Sequence, residues 1–100
     1  MPLNKFTIPP TTPGASAACG LDPKKSATLY VFTTGAANYD VQCTLDDLMT
    51  TSPGSVRWVT SPEVPPGQTG SYAVALKTPM NGVRLNVNSN AAAIEFRLLQ

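Results

Sequence analysis

The chain has 100 residues, of which 42% are hydrophobic and only 13% charged, enough for one domain with a core and too few for two. Its formal charge is +1, and its basic residues are scattered, with Lys24 and Lys25 the only adjacent pair. This excludes the basic stripe that nucleic-acid binding needs, and no apolar run approaches the roughly 18 residues of a membrane-spanning helix.

Charged residues are about half the usual globular share of roughly 25%. A free monomer normally keeps more charge on its surface. The shortage points to a surface partly covered by a partner. There is no histidine, so the commonest general base near neutral pH and the commonest transition-metal ligand are both missing. Asp46 and Asp47 are the one pair of adjacent carboxylates. Their spacing lacks the alternating oxygens of a calcium loop, and capping a short turn is the role it fits. The glycines are isolated and form no phosphate loop. We therefore expect no enzymatic activity, no metal and no cofactor.

Residues 1–25 carry Pro2, Pro9, Pro10, Pro13 and Pro23 with Gly14 and Gly20 between them. Proline removes a ladder donor, so this stretch reads as an extended N-terminal arm, apart from a sandwich over residues 26–100. Brief pairing around Lys5 to Ile8 is compatible with it. Two readings of the arm stay open. It is either a partly disordered terminus, or a segment that reaches a partner with Leu3, Phe6 and Ile8 as anchors. Residues 1–10 show no basic region followed by an apolar stretch, so we expect no export signal and synthesis in a cytoplasm. Free thiols are then the default for Cys19 and Cys43.

Residues 26–33 hold a run that suits a pleated surface, Thr28-Leu29-Tyr30-Val31-Phe32-Thr33. After a turn at residues 34–38, Tyr39, Val41, Cys43 and Leu45 alternate with Asp40, Gln42 and Thr44, which predicts a strand paired with the first through a hairpin. Residues 56–60 form a short strand around Trp58, the single tryptophan, expected as a core plug. Pro62, Pro65 and Pro66 stiffen the loop that follows. Tyr72, Val74 and Leu76 mark another strand.

The last stretch sets the architecture. Val83, Leu85 and Val87 alternate with Arg84, Asn86 and Asn88, and after Ser89-Asn90 a second alternation runs through Ala92, Ile94, Phe96 and Leu98. We read it as a closing hairpin, with Arg84 placed to pair with Glu95 across it. Six or seven short strands with frequent turns make the chain all-β, a single small antiparallel β-sandwich or jelly roll. The expected core is Tyr39, Val41, Trp58, Val74, Leu85, Val87, Ile94 and Phe96.

Three functional classes fit such a domain: a structural subunit of an assembly, a ligand- or carbohydrate-binding module, and, least of all, a small enzyme. The segment Asn38-Tyr39-Asp40-Val41-Gln42-Cys43-Thr44-Leu45-Asp46-Asp47 after Gly35, the Val56-Arg57-Trp58 strand, the run Pro79-Met80-Asn81-Gly82-Val83-Arg84-Leu85-Asn86-Val87-Asn88 and the ending Leu98-Leu99-Gln100 together resemble the small β-sandwich virion proteins of tailed bacteriophages. Among these they look most like capsid cement or decoration proteins. The resemblance covers residues 26–100. It implies a non-enzymatic virion protein that binds the major capsid protein shell at capsomer junctions, most naturally on the capsid exterior, as a dimer or trimer. A neck or tail component of the same fold is the second reading it admits, and it transfers no catalytic residues.

Overall fold

The computed structural model describes residues 3–16 and 18–100, and of Leu3, Asn4, Phe6 and Pro53 the backbone only. Among the described residues there are nine strands: β1 (Leu3–Ile8), β2 (Gly14–Ala15), β3 (Cys19–Gly20), β4 (Ala27–Thr33), β5 (Ala37–Thr44), β6 (Val59–Thr60), β7 (Tyr72–Leu76), β8 (Gly82–Asn90) and β9 (Ile94–Leu99). A 3-10 turn at Pro53–Ser55 accompanies them. Among the described residues no helix is long and apolar enough to cross a membrane.

The strands form two antiparallel sheets packed as a β-sandwich. One has the order β1-β9-β4-β7, and in the other β8 lies between β5 and the short strands β2 and β3, with β6 beyond β5. The C-terminal stretch is therefore central in both sheets, but it is not a hairpin. β8 and β9 belong to different sheets, and so do β4 and β5. Leu29 pairs with Leu98 and Thr33 with Ile94 in the first sheet, and Ala37 pairs with Asn90 in the second. Between them the Ala91 N–H donates to the Ala36 carbonyl at 2.8 Å. One antiparallel ladder thus runs through the corner without losing register, until a bulge at Asn38/Tyr39. The two expected hairpins are two arches lying side by side. Small residues allow this: a Cβ built on Gly35 would stand 2.8 Å from the Ala92 Cβ.

The N-terminal 25 residues also depart from expectation, because the described part of the supposed arm belongs to the sandwich. β1 pairs with β9 over six positions, from Leu3 opposite Leu99 to Ile8 opposite Ile94. The chain then rounds the same corner, where the Thr11 N–H donates to Asn90 O at 2.7 Å, and continues beside β8 as β2 and β3. Pro9, Pro10 and Pro13 fall between strands, where a missing N–H costs no ladder bond. Thr11 and Gly14 take positive φ there, 53° and 115°. The prolines mark a bend in an edge strand, not a separation from the sheet.

The corner is pinned by one buried polar side chain. Asn90 Nδ2 donates to Pro9 O at 2.8 Å and Ala92 O at 3.1 Å, while its Oδ1 accepts from the Thr12 N–H at 3.0 Å. It ties together two of the three segments that turn there. Between the sheets lie Ile8, Leu29, Val31, Ile94, Phe96 and Leu98 from one side and Tyr39, Val41, Val83, Leu85 and Val87 from the other. Tyr39, Val41, Leu85, Val87, Ile94 and Phe96 are buried as alternation requires. Val74 is only half-buried on β7, the edge of its sheet. Leu45, expected inward, lies past the end of β5 and is 75% exposed. Val64 enters the core from the proline-rich loop, which lies along β5 through reciprocal bonds between Tyr39 and Gln68.

Both cysteines are free and buried, and both stand in register with Val83, Cys19 on one flank of β8 and Cys43 on the other. Two inter-strand steps of about 5 Å separate them, beyond the roughly 7 Å that a disulfide spans between Cα atoms.

Candidate interaction surfaces

Among the described residues, two surfaces carry exposed aromatic and charged side chains together, one on the outer face of each sheet. The first is built by strand alternation. Since Leu29 and Val31 point into the core, Tyr30 and Phe32 must point out, and they are 40% and 42% exposed. Their rings are parallel with centroids 6.0 Å apart. On the neighbouring strand β9, the Arg97 guanidinium lies 5.7 Å from the centre of the Phe32 ring, and Leu99 extends the apolar strip. Together these four residues line a shallow cleft of about 210 Å³. On the other side of β4, exposed Ala73 stands opposite Tyr30 and exposed Ala75 opposite Thr28, so the face stays low there.

The charges on this face are tied to one another. Glu95 Oε1 is 2.9 Å from Arg97 Nη2 and 3.3 Å from Lys5 Nζ. The hydrogen bonds from Arg97 and then Lys5 hold the Glu95 carboxyl below its ordinary range. The expected Arg84–Glu95 pair does not form, because β8 and β9 lie in opposite sheets.

The second surface is a groove over the outer face of β8. Residues 45–58 fold into a lobe that closes on itself: Asp46 accepts from the Arg57 N–H at 2.7 Å and from its Nη2 at 3.3 Å. The backbone bond, followed by the side-chain bond, lowers the Asp46 pKa. Asp47 caps the turn as its position suggested, with Oδ1 accepting the Met49 N–H and its carbonyl the Thr51 N–H, both at 2.9 Å. The lobe is seated at Gly82, where an added Cβ would come within 2.6 Å of Leu48 Cδ1.

Under this lobe Trp58 is half-buried and precedes β6 instead of lying within it. It is not the core plug expected from the sequence. Its ring lies against Arg84, whose guanidinium carbon is 4.3 Å from the ring centre, a cation–π contact. Arg84 Nε donates to Gln42 Oε1 at 2.7 Å, which holds the guanidinium in place. Partial burial lowers the Arg84 pKa, yet a guanidinium stays charged at neutral pH. Leu48, Met49 and Val56 supply apolar walls to a groove of about 430 Å³. Beside it Leu45, Met49 and Val59 are 75%, 92% and 61% exposed.

Of the three anchor residues read from the sequence, Ile8 is in the core, 7% exposed. It faces the opposite sheet and is not presented to a partner. The side chains of Leu3 and Phe6 lie outside the described ones. Sequence reasoning passed over Tyr30 and Phe32 as surface residues, and it gave Arg84 the wrong partner, Glu95 in place of Trp58 and Gln42. The signal for the first two was the order of types within the run, with aliphatic Leu29 and Val31 in one phase and aromatic Tyr30 and Phe32 in the other. For Arg84 no local signal existed, because its ring partner is 26 positions earlier in the chain. Among the described residues, no three of His, Cys, Asp and Glu come together in a way that would hold a metal ion.

No protein-family model matches this chain, and no curated protein does. Two solved structures are similar to it in outline. A de novo designed double-stranded β-helix is 19% identical, with 99% of this chain and 97% of that one covered, at a TM-score of 0.39. A protein of the disulfide-linked pili that form Bacillus endospore appendages is 17% identical, with 96% and 81% covered, at a TM-score of 0.36.

Proposed function

We propose that the protein is a non-enzymatic structural subunit of a tailed-bacteriophage virion, a cement or decoration protein that binds the shell of major capsid protein at capsomer junctions and reinforces it. The observation that carries this reading is the distribution of exposed apolar side chains. Tyr30, Phe32 and Leu99 stand on the outer face of one sheet, and beside the other are Val59 of β6 and Leu45 and Met49 of the adjoining lobe. A charge-poor 100-residue domain with apolar side chains on two opposed faces is suited to bridging two neighbouring surfaces. The sequence resemblance of residues 26–100 to phage virion proteins supplies the assembly in question.

The mechanism is mechanical. Each copy buries apolar area against two neighbours, and separating the capsomers requires both contacts to break. Many weak contacts on one lattice act together, because the second engagement of a tethered molecule occurs at high effective concentration. Self-association into a dimer or trimer would match a local symmetry axis of the shell. The ligand-module alternative is less well supported. The Tyr30 and Phe32 rings pack on each other and Arg97 sits against Phe32, so part of the ring surface is already engaged.

The experiment is co-sedimentation with particles that lack the protein. Tyr30→Ser combined with Phe32→Ser is expected to weaken attachment strongly while leaving the isolated domain folded, since both side chains are outside the core. Undiminished attachment of the double variant would remove this face from the interface.

A further inference from the structure

We infer that the groove over Trp58 and Arg84 receives an acidic side chain, aspartate or glutamate, of a partner protein, with the aliphatic neighbours of that side chain resting on Leu48, Met49 and Val56. The chain has three arginines. Arg57 is paired with Asp46 and Arg97 with Glu95. Arg84 alone has no carboxylate within ion-pair distance among the described residues. Its Nε is committed to Gln42, but its two terminal nitrogens make no hydrogen bond to any described residue. A partly desolvated guanidinium with its terminal donors unused is an incomplete interaction, and the planar fork matches a carboxylate through two parallel bonds.

The guanidinium is also held ready. The Trp58 ring covers one face at 4.3 Å and Gln42 fixes the Nε edge. Little side-chain freedom is left to lose on binding. Arg84 is the single charged residue lining the groove, so one negative charge is complemented. A phosphate would bring more charge than one cation matches. The remaining walls are largely apolar, and Met49 at 92% exposure is an adaptable side chain at the mouth. A bare carboxylate would leave these walls unused. An acidic residue flanked by aliphatic ones would use both. The groove lies on the sheet opposite the aromatic strip, so this assignment goes beyond the decoration reading and is tested without particles.

Trp58 is the only tryptophan, so its fluorescence reports the groove directly. The intact protein is titrated with the acetylated, amidated tripeptide Leu-Glu-Leu, with the same peptide carrying glutamine for glutamate, and with acetate. A saturable change is expected for the glutamate peptide, with the glutamine peptide weaker by about tenfold or more, the typical worth of a charge-assisted pair. Acetate should bind far more weakly than the peptide. In Arg84→Gln the advantage of glutamate over glutamine should vanish, and Arg84→Lys should retain part of it. The wild-type comparison of two peptides does not depend on how well a variant folds. Equal binding of the two peptides, acetate binding as tightly as the peptide, or no saturable response to the glutamate peptide in the millimolar range would each overturn the assignment.

Discussion

Asn90 offers a sharp test of how the two sheets are joined. Its side chain is 5% exposed and makes three hydrogen bonds, accepting from Thr12 and donating to Pro9 and Ala92. Asn90→Ala removes all three and leaves one N–H and two carbonyls without these partners. Each such loss costs about 1–3 kcal/mol where the group stays dry. The corner adjoins an open cleft lined by Thr11, Pro13 and Ala91, so water can reach part of it. A net loss of about 2–4 kcal/mol follows from these bounds, which corresponds to a fall of roughly 8–30 °C in Tm for a domain of this size. Asn90→Asp keeps the shape and the acceptor for Thr12, but sets a carboxylate oxygen against two carbonyl oxygens. It should therefore cost more than alanine. Urea and thermal unfolding of the three proteins measure this directly. A loss below about 1 kcal/mol for alanine, or an aspartate variant as stable as the wild type, would show that the corner does not depend on this side chain.

Deleting residues 1–13 should unfold the domain or lower its Tm sharply, because it removes β1, exposes β9 as an edge and takes Ile8 from the core; an unchanged Tm would restore the view of this segment as a free arm. Burial raises the pKa of Cys19 and also, with Glu63 nearby, that of Cys43. At mildly alkaline pH both thiols should therefore resist a thiol reagent in the native protein and react fully on denaturation, and rapid native labelling would contradict their placement. Acid should destabilise the fold. Glu63 is raised by burial but lowered overall by the N–H donors of Lys77 and Thr78, and Asp46 and Glu95 are lowered by their arginine partners. A depressed folded-state pKa means the unfolded chain takes up protons first as pH falls. Stability should hold above the ordinary carboxylate values of 3.8 and 4.5 and drop progressively below them. Denaturant midpoints that rise on acidification would contradict this.

Alternation made the strands legible, and with them most of the core. Val83, Leu85 and Val87, and then Ile94, Phe96 and Leu98, announce which side of each strand is buried, and the structure agrees. Alternation does not say which strand is the partner. A tight hairpin and an arch between sheets both use a few small residues, so Gly35 and Ala92 read the same either way. A trace of the arch was present in the apolar phase, which runs through odd positions as far as Val87 and through even ones from Ala92, a single slip that the bulge at Asn38/Tyr39 accommodates. The proline-rich start was misread for a related reason. Proline excludes a residue from a ladder position, yet Pro9, Pro10 and Pro13 sit where the edge changes sheet and no ladder bond is needed. Trp58 misled through its bulk. Its polar indole edge and Arg84 favour a half-buried position on the outer face, and their meeting is a product of tertiary structure that no window of sequence contains.

The decoration reading turns on where copies of the protein are found. Purified virions, analysed by quantitative mass spectrometry against the major capsid protein, give that directly. A cement protein at capsomer junctions should be present in numbers proportional to the shell's capsomers and be lost together with shell stability when it is stripped. A copy number matching a single ring at the neck or tail, or absence from the particle, would contradict the capsid role.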